Sequence, residues 1–109
     1  MDAEQLLRGL GVTGKLKGFY QAAYMIEQVK DDPAAAARIT RCLYPETAKR
    51  FGASPCTVER NLRTIIRTCW NCPDHSLLEE AAGIHLHRQP TNREFLDMTA
   101  AYLRRQNQI

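Results

Sequence analysis

The sequence predicts an all-α protein, a compact bundle of about six helices containing a helix-turn-helix. Three observations carry that prediction: helix start and stop signals recur along the whole chain, apolar residues return at three- and four-residue spacing, and no stretch alternates apolar with polar residues long enough for a strand. Composition agrees, since 44% hydrophobic and 25% charged residues in a chain of 109 suit one modest core and are too apolar for disorder.

Asp2 to Leu10 reads as a short amphipathic helix closed by Gly9 and Gly11, and Gly14 to Gly18 as a turn made basic by Lys15 and Lys17. Phe19 to Val29 carries Tyr20, Ala23, Tyr24, Ile26 and Val29 on a broad apolar stripe, the mark of a central core helix. Asp31-Asp32-Pro33 supplies a cap and a first-turn proline for a helix through Ala34 to Ala37, Ile39 and Leu43; Pro45 stops it and opens the next. A further helix is expected from Asp74 to Ala82, ended by Gly83. The last begins after Pro90 with Thr91 or Asn92 and runs through Phe95, Leu96, Met98, Tyr102 and Leu103.

Fifteen Lys+Arg against twelve Asp+Glu leave a net charge of +3, which permits a polyanionic partner without requiring one, so the placement of the cations decides. The start Met1-Asp2-Ala3-Glu4-Gln5 has no basic leader-like region, and no run approaches the roughly 20 apolar residues that span a bilayer. A soluble, cytoplasmic protein with no membrane partner is expected, with Cys42, Cys56, Cys69 and Cys72 as reduced thiols. Cys69-Trp70-Asn71-Cys72, with His75, His85 and His87, raises zinc as an alternative, but Cys69 falls on an apolar helical stripe, so neither metal nor cofactor is expected. Without a Gly-rich phosphate loop, an HExxH pair or a nucleophile elbow, the chain is not expected to be an enzyme. His85 and His87 read as solvated loop residues, Trp70, Tyr20 and Tyr24 as core, and Arg104 and Arg105 as charges complementing a helix end.

The informative stretch is residues 44 to 70, YPETAKRFGASPCTVERNLRTIIRTCW. Pro45 and Glu46 suit a first turn, Gly52 a left-handed helix end, and Ser54-Pro55 a capping oxygen followed by a first-position proline. Ala48, Gly52 and Val58 then have the spacing of a helix-turn-helix: a small residue at the contact, a glycine at the bend and a β-branched anchor. At about 100° per residue, Val58, Leu62, Ile65, Ile66 and Cys69 share one side of the second helix, with Trp70 at its margin, while Arg60, Arg63, Thr64 and Arg67 lie opposite. Guanidinium forks on such a face match guanine edges and phosphates. Glu59, near the helix start, can accept from cytosine N4 beside an Arg60 that reads guanine; the plain alternative is an i,i+4 ion pair between Glu59 and Arg63. Lys49 and Arg50 belong to the first helix of the motif, whose end crosses the DNA backbone in such folds.

With Lys17-Gly18-Phe19-Tyr20 upstream and Pro90-Thr91-Asn92-Arg93-Glu94-Phe95 downstream, this run resembles the C-terminal effector domain of the stage-zero sporulation response regulator of endospore-forming Firmicutes. The match covers nearly the whole chain, and Leu43-Tyr44-Pro45, Val58-Glu59-Arg60, Arg63, Trp70 and the Pro-Thr-Asn-x-Glu-Phe run are its most specific pieces. The resemblance implies tandem copies on double-stranded promoter DNA at a TGTCGAA-like element, with Glu59 and Arg60 as base readers. It implies a backbone role for Arg63, Thr57 and Thr64, which with Arg67, Lys49 and Ser54 complete the expected phosphate-contacting set. The family often carries Arg and His where this chain has Thr57 and Thr64. The stretch from Asp74 to Leu86 resembles the surface that meets the RNA polymerase sigma subunit. No counterpart of the family's phosphoacceptor receiver domain is present in the sequence, so residues 1–109 are expected to form a single helix-turn-helix effector domain. The competing function class is a helical protein-interaction module without DNA binding, in which the same arginines meet acidic side chains.

Overall fold

Asp2 accepts a hydrogen bond from the backbone N–H of Gln5 while the Gln5 side chain accepts from Asp2 N–H, a reciprocal cap that launches α1 (Ala3–Gly9). The computed structural model describes residues 1–108 and continues with α2 (Phe19–Asp31), α3 (Tyr44–Phe51), α4 (Pro55–Asn71), α5 (Ser76–Ala82) and α6 (Asn92–Gln106). No strand occurs among the described residues. The all-α class and the six helices are as the sequence predicts.

Helix α2 is the centre of the packing: α1, α4 and α6 all lie against it, and Phe19, Ala22, Met25, Ile26 and Val29 form its buried stripe. That stripe is one residue out of register with the predicted one at its start. Tyr20 is 50% exposed whereas Phe19 is fully buried. Gly18 holds a left-handed conformation and sets the first turn at Phe19, so Phe19 rather than Tyr20 is in phase with Ala22, Ile26 and Val29. Tyr24 is half-buried at the margin, its ring 5.9 Å edge-on from Phe51.

Two further expectations are corrected between Asp32 and Pro45. The cap is right, since the Asp32 carboxylate accepts from Ala34 N–H, but it launches a tight 3₁₀ segment, Pro33–Arg38, and then a wide π turn, Ile39–Leu43. Ala36 and Leu43 are buried and Ala35 and Ile39 only partly so, which leaves the alanine run little packing to hold a regular α-helix. Nor does Pro45 stop anything. Leu43 and Tyr44 keep right-handed helical angles, and the N–H of Tyr44 reaches back five residues to the carbonyl of Ile39. Widening the turn just ahead of Pro45 accommodates a ring that lacks an N–H and would crowd a regular turn.

Asp74 lies outside α5, contrary to the predicted start: its carboxylate accepts from both the N–H and the hydroxyl of Ser76 and forms the turn before the helix. Thr91 and Glu94 make a capping box at α6, and Arg88 grips the same Glu94 carboxylate with two nitrogens, each at 2.9 Å. Arg104 stands in the last turn of α6, as the sequence predicts, and also serves a second helix end. It donates to the carbonyls of Val29 and Lys30 and so closes the C-terminus of α2.

Candidate nucleic-acid interface

Helices α3 and α4 meet across a three-residue connection whose chemistry is local. Gly52 adopts φ 66°, ψ 37°, a left-handed end that lets Ala53 N–H bond back to the Ala48 carbonyl at 2.9 Å. Ser54 is extended, and its hydroxyl accepts from Thr57 N–H at 3.1 Å, capping α4 ahead of Pro55. Ala48 on α3 and Val58 on α4 are buried, so the small residue and the branched anchor lie inside as the spacing predicts.

The two faces of α4 separate cleanly. Val58, Leu62, Ile65, Ile66 and Cys69 are buried, and fully covering a Leu or Ile side chain stabilises by about 1.5–3 kcal/mol. Arg60, Arg63 and Arg67 are exposed on the opposite side, with Thr64 half-buried between them. A cationic stripe therefore stands on a helix that the core holds rigidly from behind.

Side chains on that stripe already engage one another. Arg63 Nη2 donates to Glu59 Oε1 at 2.6 Å, the ion pair that the i,i+4 spacing allows. Arg67 donates to the Thr64 hydroxyl at 3.3 Å, and that hydroxyl donates to the Arg60 carbonyl at 3.1 Å. Thr57 lies beside its cap, the Ser54 and Thr57 hydroxyl oxygens being 2.9 Å apart. Lys49 is exposed on α3, while Arg50 lies over the Tyr24 ring, 4.9 Å from its centroid. Cys56 is exposed in the first turn of α4.

Each flank of α4 is tied to another helix through contacts that local spacing does not reveal. On one side Asn61 donates to Gln21 of α2 at 3.2 Å, and Gly18 approaches so closely that a Cβ there would lie 2.5 Å from Asn61 Cβ. On the other, the Asn92 amide donates to the Tyr44 hydroxyl at 2.8 Å and to the Glu59 carbonyl at 3.2 Å. Beside it a groove of about 410 Å³ is lined by Thr40, Tyr44, Glu59, Arg63 and Arg93.

The thiols and imidazoles occupy other surroundings. Burial pushes the Cys69 thiol up to about 12, and the Cys72 thiol donates to the carbonyls of Leu10 and Thr68. His75 stacks on Trp70 with ring centroids 4.5 Å apart, and His85 Nδ1 stands 2.6 Å from Glu79 Oε2. Among the described residues no group of three or more His, Cys, Asp or Glu side chains is arranged to hold a metal ion, and no helix is long and apolar enough to cross a membrane.

Comparison with protein families places this arrangement. The model described as Sporulation initiation factor Spo0A C terminal matches residues 3–103, from the first residue of α1 to within the last turn of α6. With nearly the whole chain inside the match, the protein belongs to that family of sporulation transcription-factor DNA-binding domains.

Proposed function

We propose that α4 is a recognition helix that enters the major groove of double-stranded promoter DNA, and that residues 1–109 act as one effector unit of a transcription regulator. The observation that carries this is the division of α4 into a buried apolar side and an exposed side bearing Arg60, Arg63 and Arg67. Arg60 and Glu59, in the second turn, read base edges: the guanidinium faces a guanine and the carboxylate accepts from a cytosine amino group. Arg63 and Arg67 anchor phosphates, helped by Thr57, Thr64 and Ser54 on α4 and its cap, and by Lys49 on α3.

Within this function, copies sit in tandem on neighbouring elements, the surface from Asp74 to Leu86 meets the polymerase sigma subunit, and the protein works in the cytoplasm. Glu59 has to leave Arg63 to reach a base. An exposed pair of this kind is worth only about 0.2–1 kcal/mol, so the exchange is inexpensive.

The test is a titration of a labelled duplex carrying two tandem TGTCGAA elements against a scrambled duplex, over a range of salt. Tighter binding of the element duplex, with affinity falling steeply as salt rises, supports the assignment. Absence of any duplex binding at low salt would transfer the arginine face to an acidic protein partner.

A further inference from the structure

The Pro-Thr-Asn-x-Glu-Phe run at the start of α6 is among the most distinctive pieces of the sequence, and it lies outside α4, bordering it at the groove shared with Glu59 and Arg63. We infer that Asn92 is a positioning residue for DNA recognition: its amide braces the base-reading turn of α4 against α3 and α6. This rests on the assignment of α4 as the recognition helix.

Three elements converge on one side chain. Asn92 Nδ2 donates to the hydroxyl of Tyr44, the first residue of α3, and to the backbone carbonyl of Glu59, in the second turn of α4. Because Asn92 is itself the first residue of α6, a single –NH₂ group fixes the starts of α3 and α6 and the reading turn of α4 relative to one another. The donor stays in place because its own backbone is locked. Thr91 and Glu94 cap each other reciprocally, and Arg88 holds Glu94 from outside with two charge-assisted hydrogen bonds. Pro90 is buried immediately before them.

The carbonyl that Asn92 holds belongs to Glu59, whose side chain is a proposed base reader, and the peptide after it leads directly to Arg60. Displacing that peptide by a fraction of an ångström moves both reading groups together. Displacement leaves phosphate contacts nearly unchanged, because long arginine side chains adapt to backbone shifts and base edges do not. The brace thus acts on discrimination rather than on attraction.

Asn92→Asp separates this role from a structural one. The carboxylate keeps the size of the amide and can still accept from Tyr44, but it cannot donate to the Glu59 carbonyl and faces it with like polarity. At the first position of a helix an acid is favoured by the macrodipole, which offsets part of the lost hydrogen bonding, so the variant is expected to stay folded at the assay temperature. Binding to the tandem TGTCGAA duplex and to its scrambled counterpart is measured for the wild type, Asn92→Asp and Tyr44→Phe, with melting temperatures alongside.

For Asn92→Asp the preference for the element duplex over the scrambled one is expected to fall about five- to tenfold, beyond the smaller loss that an added negative charge near DNA brings to both duplexes alike. Tyr44→Phe, which removes one partner of the same amide, shifts the preference in the same direction by a smaller factor. A wild-type preference that survives in both variants overturns the brace and leaves α4 as the reader. Equal losses on both duplexes that track a lowered melting temperature also overturn it, since those mark a purely structural contact. A wild-type chain that does not distinguish the duplexes overturns both assignments.

Discussion

Glu59 and Arg63 hold each other at 2.6 Å, one turn apart on the helix that carries the exposed arginines. On the proposed assignment the carboxylate occupies a guanidinium that would otherwise meet phosphate on any sequence, so the pair would temper indiscriminate binding as well as hold a base acceptor. Glu59→Gln is expected to raise affinity for a scrambled duplex several-fold by removing a negative charge near the DNA, and to steepen its salt dependence by about one released ion. Titrations at two or more salt concentrations read both effects. Unchanged scrambled-duplex affinity would show that the carboxylate does not shield Arg63.

Arg60 and Arg63 differ in what their loss should do. Arg60→Ala is expected to cost about 1–3 kcal/mol on the element duplex and little on a scrambled one, whereas Arg63→Ala weakens both alike and flattens the salt slope. The same pair of titrations decides. Parallel losses in the two variants would contradict the division into base reader and phosphate anchor.

Glycines with the same left-handed backbone should respond unequally to alanine. Gly83 has φ 76° and open space around the position of a Cβ, so Gly83→Ala should cost only the left-handed strain of about 1–2 kcal/mol. Gly18, at φ 85°, adds a steric conflict with Asn61 and should lose more, with weakened duplex binding because that conflict pushes directly on α4. Thermal or denaturant unfolding of the two variants gives the comparison.

Acid should unfasten the start of α6. Hydrogen bonds from Arg88 and from Thr91 N–H hold the Glu94 carboxyl down at about 2, below its ordinary 4.5. Because the folded value is the lower one, the stabilisation is complete above about pH 4.5 and is lost as pH falls toward 2. The group is largely exposed, so solvent screening keeps the contribution small. Glu94→Gln should remove this part of the acid dependence, visible as a flatter melting temperature between those limits.

Thiol reagents should find the cysteines in order of access. Cys56, exposed at the first turn of α4, is expected to react with a maleimide in native protein, while Cys69, buried and with its thiol raised to about 12, stays unmodified until unfolding. Mass spectrometry of limited labelling identifies the site. A bulky adduct on Cys56 should also block duplex binding, since it would stand where α4 meets the groove.

Much of the fold and of the arginine face is legible in the chain because its causes are local. Gly52, Ser54 and Pro55 dictate the α3–α4 turn from their own backbone chemistry, and helical periodicity alone sorts Val58, Leu62, Ile65, Ile66 and Cys69 from Arg60, Arg63 and Arg67. The contacts that stay hidden depend on partners far away in sequence. Tyr44 and Asn92 stand 48 residues apart, Gln21 and Asn61 stand 40 apart, and no periodicity links them. Tyr20 escapes the pattern because a tyrosine suits a core or a surface equally, and the phase set by Gly18 decides between them. The segment from Pro33 to Leu43 departs from a regular helix because few of its residues are buried, which propensity does not register.

The contact between Gly18 and Asn61 makes α4 a dependent part rather than a portable one. Cut out, residues 44–71 would keep Arg60, Arg63 and Arg67 while shedding the N-terminus of α2 and the amide of Asn92, the two abutments between which α4 is seated. Such a fragment would be a cationic peptide with affinity for any polyanion. Selectivity, on this view, resides in how the rest of the chain grips α4, so variants altering sequence preference would arise far outside the helix proposed to meet DNA.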